Sequence, residues 1–291
     1  MKIYYLCFAE SSCPWPGLQE GFGGMKIIFG VVLALGLACW TAPARADAVP
    51  FVGCVEQGAS AADGSWTAPR GRTVEMNLPP AIAGKLAIYA SNWSAVLAPR
   101  GWACRSSVNE LQGSAMLVTP VPREGDDKAV LTGPAVILWN DQRPATVAAY
   151  AARYFPDAAG MIKADADFCG ASCAALLDPK SGAAPAPFYP SDRIRHVRDL
   201  VLSYETPANK AGLGHQIGSA ALPAYGVLAL SDLPRGEGGV VNLTVRLPAA
   251  LAPVRGAIMS AFQACMPNRN VVGCESGGAF VAQGRPIDDG D

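Results

Sequence analysis

The sequence predicts an α+β domain: a mixed or antiparallel sheet, a few packed helices and stabilising disulfides. Three observations carry this expectation. Short segments of strand character recur between turn signals, as in Arg72 to Leu78. Three segments with helical character open on proline, which suits a helix start because its missing N–H would be unpaired there anyway. The chain after residue 46 holds six cysteines, Cys54, Cys104, Cys169, Cys173, Cys265 and Cys274, an even number that suits a disulfide framework.

In chain order, residues 47–66 read as a loop-rich lead-in with a short apolar piece, Val49 to Val55. Arg72 to Leu78 alternate as a strand. Pro79 and Pro80 then open a predicted helix through Trp93, with Ile82, Leu86 and Tyr89 on one face. Ala95 to Leu97 form a short strand before a turn at Pro99-Arg100-Gly101-Trp102. Ala115 to Val121 and Ala129 to Trp139 read as a hairpin-like pair around an acidic turn, Glu124 to Asp127. Pro144 to Phe155 is the clearest helix, and a second is expected from Asp157 toward Cys169. Residues 178–191, rich in Pro, Ala and Gly, predict an irregular crossing. Asp199 to Thr206, Tyr225 to Leu230 and Val240 to Leu247 predict strands, and Pro248 opens a helix to about Cys265. The polar tail that ends in Asp288 to Asp291 is expected to fray.

One echo runs through the chain. Met76 to Ala83 (MNLPPAIA) resembles Val245 to Ala252 (VRLPAALA). It is either two copies of a strand–helix unit in a pseudo-symmetric fold or a common Leu-Pro joint between strand and helix.

The N-terminal region reads as an address. Lys26 supplies a short positive region, Ile27 to Ala38 an unbroken apolar run, and Ala44 and Ala46 the small residues of an A-x-A site. This predicts a secretory signal over residues 25–46, cleaved after Ala46, with translation starting at Met25. Residues 1–24 are then a start assigned too early, or an extension. Cys39 sits in an imperfect lipobox, which leaves lipidation as an alternative. The apolar run is shorter than the roughly 20 residues that span a bilayer. The expectation is a single exported domain over residues 47–291, periplasmic or extracellular, that does not span the membrane once the signal is removed.

An oxidising compartment favours structural disulfides. Sequence proximity suggests Cys54–Cys104 as the long tie, with Cys169–Cys173 and Cys265–Cys274 as local loops. A redox pair at Cys169–Cys173 and a metal site compete with this. Three residues separate Cys169 from Cys173, which is not the C-x-x-C spacing. His196 and His215 are the only imidazoles, too few for the common zinc ligand sets. No metal and no cofactor are therefore expected.

Formal net charge is −1, charged residues make up 16% and apolar residues 51% of the chain. That is ample for a core and leaves no overall electrostatic footprint for nucleic acid or an anionic membrane.

Standard catalytic motifs are absent: no G-x-S-x-G, H-E-x-x-H, Walker A or G-x-G-x-x-G. His196 lies in the alternating basic stretch Arg193 to Arg198 and reads as a solvated strand face. His215 closes the segment Tyr204 to His215, where a strand runs into a proline turn and a glycine-rich loop. Loops at strand ends often carry function. Asn209 and the glycines equally suit a tight turn with positive φ. The second candidate segment is Leu97 to Cys104, where Arg100 beside Trp102 could hold a carboxylate or stack on a ligand, or simply pack on a Cys54–Cys104 bridge. Arg100, Trp102 and Asn209 are thus candidate binding residues, and Glu205 with His215 the candidate acid/base pair. Glu75, Asp141, Asp165, Asp167 and Glu205 cannot be paired from sequence into a two-carboxylate site.

The segments LAPRGWAC and SYETPANKAGLG resemble an uncharacterised group of exported bacterial proteins that carry P-R-G-W-x-C and T-P-A-N-x-x-G-L-G segments. The starts Phe51 to Cys54 and Phe188 to Pro190 are also similar. The resemblance implies that Cys54 and Cys104 belong to a shared scaffold, and it brings no activity with it. Residues 157–178 stand outside it. The resulting expectation is a non-enzymatic envelope protein that binds a small molecule, a glycan or a protein. Alternatives are a hydrolase of an envelope substrate using Glu205 and His215, or an inhibitor or immunity-type protein built around one interface.

Overall fold

The computed structural model describes residues 47–58, 73–76, 78–91, 94–109, 113–121, 132–158, 175, 180, 186–215, 220–231 and 239–264. All of them lie in one compact unit, Arg45–Asp291. The leader, the expected helix toward Cys169, the pairs Cys169–Cys173 and Cys265–Cys274, and the C-terminal tail lie outside the described residues.

Two sheets form. The smaller has the order β3-β1-β4-β5, from β1 (Asp47–Gly53), β3 (Thr73–Met76), β4 (Leu86–Ala90) and β5 (Ala95–Pro99). The larger has the order β2-β6-β7-β8-β12-β11-β10-β9. Its strands are β2 (Val55–Gly58), β6 (Ala103–Asn109), β7 (Gly113–Thr119), β8 (Ala135–Asp141), β9 (Arg193–Arg198), β10 (Val201–Thr206), β11 (Ala224–Ser231) and β12 (Gly239–Arg246). Pairing is mostly antiparallel. Among the described residues the parallel pairs are β1 with β4 and β2 with β6. The α+β class holds, with mixed sheets.

The central part of the large sheet is buried on both faces, and strand alternation sorts its side chains. Val241, Leu243 and Val245 of β12 join the core beneath the small sheet, together with Val227, Ala229, Val136 and Leu138. Helix α3 (Arg255–Ala264) closes that core with Ile258 and Phe262, four residues apart. Leu202, Tyr204, Leu228, Leu230 and Val240 point the other way, against helix α2 (Pro144–Tyr154). Val147, Ala148, Ala151 and Tyr154 form the inward stripe of α2. Asp141, at the end of β8, anchors its start by accepting the Arg143 N–H at 2.9 Å and the Thr146 hydroxyl at 3.2 Å.

The helix expected from Pro79 to Trp93 stops early. Helix α1 spans only Pro80–Ala83, and Leu86–Ala90 is β4, buried throughout. A fully buried strand reads as a continuous apolar run, and periodicity alone cannot tell it from a buried helix. The Leu-Pro echo is local. Both copies turn from strand into helix at proline, yet β3 is an edge strand of the small sheet and β12 lies in the middle of the large one. Strand β6 was not expected, because Cys-Arg-Ser-Ser lacks apolar alternation; its neighbours β2 and β7 decide it.

The chain passes from the small sheet to the large one twice, and both crossings meet at one joint. β1 runs into β2 through Cys54, and β5 runs into β6 through Arg100 to Trp102. Cys54 is disulfide-bonded to Cys104 of β6, across a sequence separation of 50. Fully buried Tyr89 of β4 reaches the second crossing. Its hydroxyl donates to the Pro99 carbonyl at 2.7 Å and accepts the Trp102 N–H at 2.9 Å. Gly101 takes φ +83° there, a conformation that L side chains rarely adopt. Among the described residues no helix is long and apolar enough to cross a membrane.

Tyr89→Phe keeps the ring and removes both hydrogen bonds at the joint. It should lower stability by about 1–3 kcal/mol in a urea titration, with the far-ultraviolet spectrum unchanged.

Candidate functional site

Thr206 ends β10, and Asp192 immediately precedes β9. The segment from Pro207 to His215 folds back onto this pair. The Thr206 hydroxyl donates to Asp192 Oδ1 at 2.7 Å and accepts the Gly214 N–H at 3.1 Å. Asp192 Oδ2 accepts the Leu213 N–H at 2.8 Å. Burial raises the Asp192 carboxyl above its ordinary range, against the lowering effects of the Leu213 N–H, the Thr206 hydroxyl and His215. Gly212 permits this approach, because a Cβ there would lie 2.1 Å from Asp192 Oδ1. Asn209 has φ 58°, the left-handed region that asparagine tolerates, and its N–H donates to the Ala220 carbonyl at 2.7 Å. His215 is buried, with Nδ1 2.8 Å from the Lys210 carbonyl. A carbonyl only accepts, so Nδ1 carries the hydrogen. Among the described residues, Nε2 of His215 and Nδ2 of Asn242 are buried with no hydrogen-bond partner.

Beside this loop runs a row of polar residues across the sheet. Tyr204, Gly226 and Thr244 are register neighbours on β10, β11 and β12. The Tyr204 ring lies over Gly226, where a Cβ would come within 2.2 Å of Tyr204 Cζ. Its hydroxyl is 2.8 Å from Asn242 Oδ1 and 2.7 Å from Thr244 Oγ1. Burial pushes this phenol up, so it stays neutral. Arg246 is 1% exposed. It donates through Nε to the Gly133 carbonyl at 3.0 Å and through Nη1 to the Gly214 carbonyl at 3.4 Å. Burial pulls its guanidinium down to about 10, still charged at neutral pH. It ties the loop to the end of β12.

The candidate residues do not gather in one place. Glu205 alternates with Tyr204 and Thr206 and so faces the other side of the sheet from the His215 loop, where it meets Arg193 at 3.4 Å. Asn209 and His215 share the loop. Arg100 is exposed at the turn between the sheets, and Trp102 packs against the core beneath the small sheet.

No protein-family model, curated protein or solved structure matches this chain.

The exposed chemistry lies on β9, the last strand of the large sheet. Arg198 pairs with Val201, His196 with Leu202, Arg195 with Ser203 and Arg193 with Glu205. Val197 is the extra residue where the register shifts. Without that bulge Arg198 would fall on the opposite face from Arg193 and Arg195; with it, all three share the face of Val201, Ser203 and Glu205. The Arg193 side chain is 77% exposed, and Arg195 and Arg198 are exposed too. Arg198 donates to the Gln263 carbonyl at the end of α3. Continuing the row of Arg193 and Glu205, Tyr225 carries the Arg255 guanidinium over its ring at 3.7 Å. Arg193, Arg195 and Arg198 thus share one face with Glu205, and Arg255 borders that face over Tyr225. His196, on the reverse face, meets the Phe155 ring edge-on.

The stretch Arg193 to Arg198 is the solvated strand face that the alternation predicts. Its concentration of charge is not visible in sequence, because strict alternation puts Arg198 opposite Arg195 and only the bulge reunites them.

Two predictions follow from the loop and the row beneath it. Gly226→Ala should cost about 1–3 kcal/mol by forcing a Cβ into the Tyr204 ring and the Leu243 carbonyl, read by thermal unfolding. A carboxyl whose folded pKa is raised contributes its stability below the unfolded value near 3.8 and loses it as pH rises through the folded value. Melting temperatures of the wild type and Asp192→Asn, compared from acid to neutral pH, should therefore show the wild type losing ground to the variant as pH rises through that window.

Proposed function

We propose that this chain is a non-enzymatic binding protein of the cell envelope, exported by the signal ahead of residue 47, and that the arginine face of β9 meets an anionic partner. One observation carries the reading. The sequence's acid/base candidates do not converge, since Glu205 and His215 lie on opposite faces of the sheet and Asp192 and His215 are bonded into the loop, while the arginines of β9 are exposed. Asp192 holds Thr206 and Leu213, His215 is bound through Nδ1 to its own loop, and Glu205 lies on the opposite face beside Arg193.

Export is supported by the signal-like leader and by a disulfide of the kind that persists in oxidising compartments. The two segments that resemble those of the exported bacterial group fit the same reading. P-R-G-W-x-C forms the joint between the sheets, and T-P-A-N-x-x-G-L-G forms the loop on Asp192. A scaffold shared at those points can serve different partners.

Replacing Arg193, Arg195 and Arg198 together by Gln should leave the melting temperature nearly unchanged, since exposed substitutions usually fall within about 0.5 kcal/mol. The same variant should lose retention on immobilised polyglutamate. Retention of the wild type should fall steeply with salt, because exposed charges are screened. A wild type that is not retained, or a triple variant retained equally, would contradict the assignment.

A further inference from the structure

We infer that the partner of β9 is an extended acidic peptide segment of a protein, which adds as a further strand to the large sheet. This rests on the binding reading above and names the chemistry of its partner. Three features of the edge point to it.

First, β9 has a neighbour on one side only among the described residues, and five of its six residues are exposed. The outward N–H and C=O groups of such an edge form a template for another strand. Second, the charges sit in the geometry that strand addition reads. Side chains of an added strand stand about 5 Å from their cross-strand neighbours and alternate between faces. Acidic residues at every second position would meet Arg193 and Arg195, which are spaced at about 7 Å, and the bulge returns Arg198 to the same row. Apolar or polar residues at the intervening positions would face Ile194 and His196. Third, the receptor arginines are partly oriented in advance. Arg193 is drawn toward Glu205, and Arg198 is held on Gln263. A guanidinium fixed beforehand loses less entropy on meeting a carboxylate.

Charge on an edge strand also guards against self-association. Guarding alone does not call for like charges on one face. Three arginines brought onto a single row repel one another, and an acidic strand relieves that repulsion.

The test uses the full chain with its disulfide intact and a short synthetic peptide of alternating threonine and glutamate. The control peptide has proline in place of each threonine, keeping the charge but removing the N–H groups that a strand needs. Amide exchange of residues 193–198 is followed by mass spectrometry, and affinity by titration. The expected result is slowing of those amides by about tenfold with the threonine peptide, none with the proline peptide, and loss of the effect in Arg193→Gln/Arg195→Gln/Arg198→Gln. Equal binding of both peptides with no slowing would overturn strand addition and leave the anionic-partner reading standing, and stronger binding of a sulfated polysaccharide would then turn it toward a glycan. Slowing that survives in the triple variant would overturn the acidic specificity. Binding of neither peptide, with no retention on polyglutamate, would overturn both readings.

Discussion

The structure depends on one joint. The chain leaves the small sheet twice, at Cys54 and at Gly101, and each departure feeds a strand of the large sheet. A bend between sheets leaves backbone groups without ladder partners, and these need replacement bonds when buried. Here the Cys54 N–H reaches the Ala90 carbonyl at 2.8 Å, and the Arg100 N–H reaches the Lys85 carbonyl at 2.8 Å. The Tyr89 hydroxyl serves Pro99 and Trp102. The disulfide then binds one departure to the other. β2 and β6 can run parallel side by side because their starting points are tied together.

A second constraint organises the far end of the large sheet. A row of polar groups lies buried on the α2 side at Tyr204, Asn242, Thr244 and Arg246. Groups in that position destabilise a fold unless they are bonded. Gly226 lets the Tyr204 ring lie flat enough to reach Asn242 and Thr244. The loop from Pro207 to His215 caps the row and hands the Gly214 carbonyl to Arg246. Asp192 and Thr206 hold that loop. Glu205, one residue before Thr206, is turned to the opposite face, which is why one strand both supports the interior and borders the arginine surface.

How much of this the sequence made legible follows from the physics of each part. Helix α2 was readable because its inward stripe and opening proline are local features. Strands β7, β10, β11 and β12 were readable as apolar runs bounded by turns, and β8 only in part, since it begins at Ala135 rather than at Ala129. Strands β4 and β6 were not, since one is buried on both sides and the other is polar, and their identity comes from the neighbours they pair with. The Cys54–Cys104 tie was anticipated, and so was Asn209 at positive φ. The bonding roles of Tyr89, Tyr204 and Arg246 were not legible because a lone polar residue in a strand carries no signal until its cross-sheet partner is known, and that of Asp192, just before β9, was hidden for the same reason. The arginine row escaped for a related reason: it exists only through a bulge at Val197 that no residue in RIRHVR announces.

The central claim is that the joint couples two sheets that share a core. Native-state amide exchange before and after reduction of Cys54–Cys104 tests it most directly. In the oxidised chain, amides of Leu86–Ala90 in the small sheet and Val240–Val245 in the large one should open with one common free energy. After reduction the small sheet should open at a lower free energy than the large sheet, so the two groups separate. If both sheets still exchange together after reduction, the coupling does not run through the joint, and the account is wrong at its base.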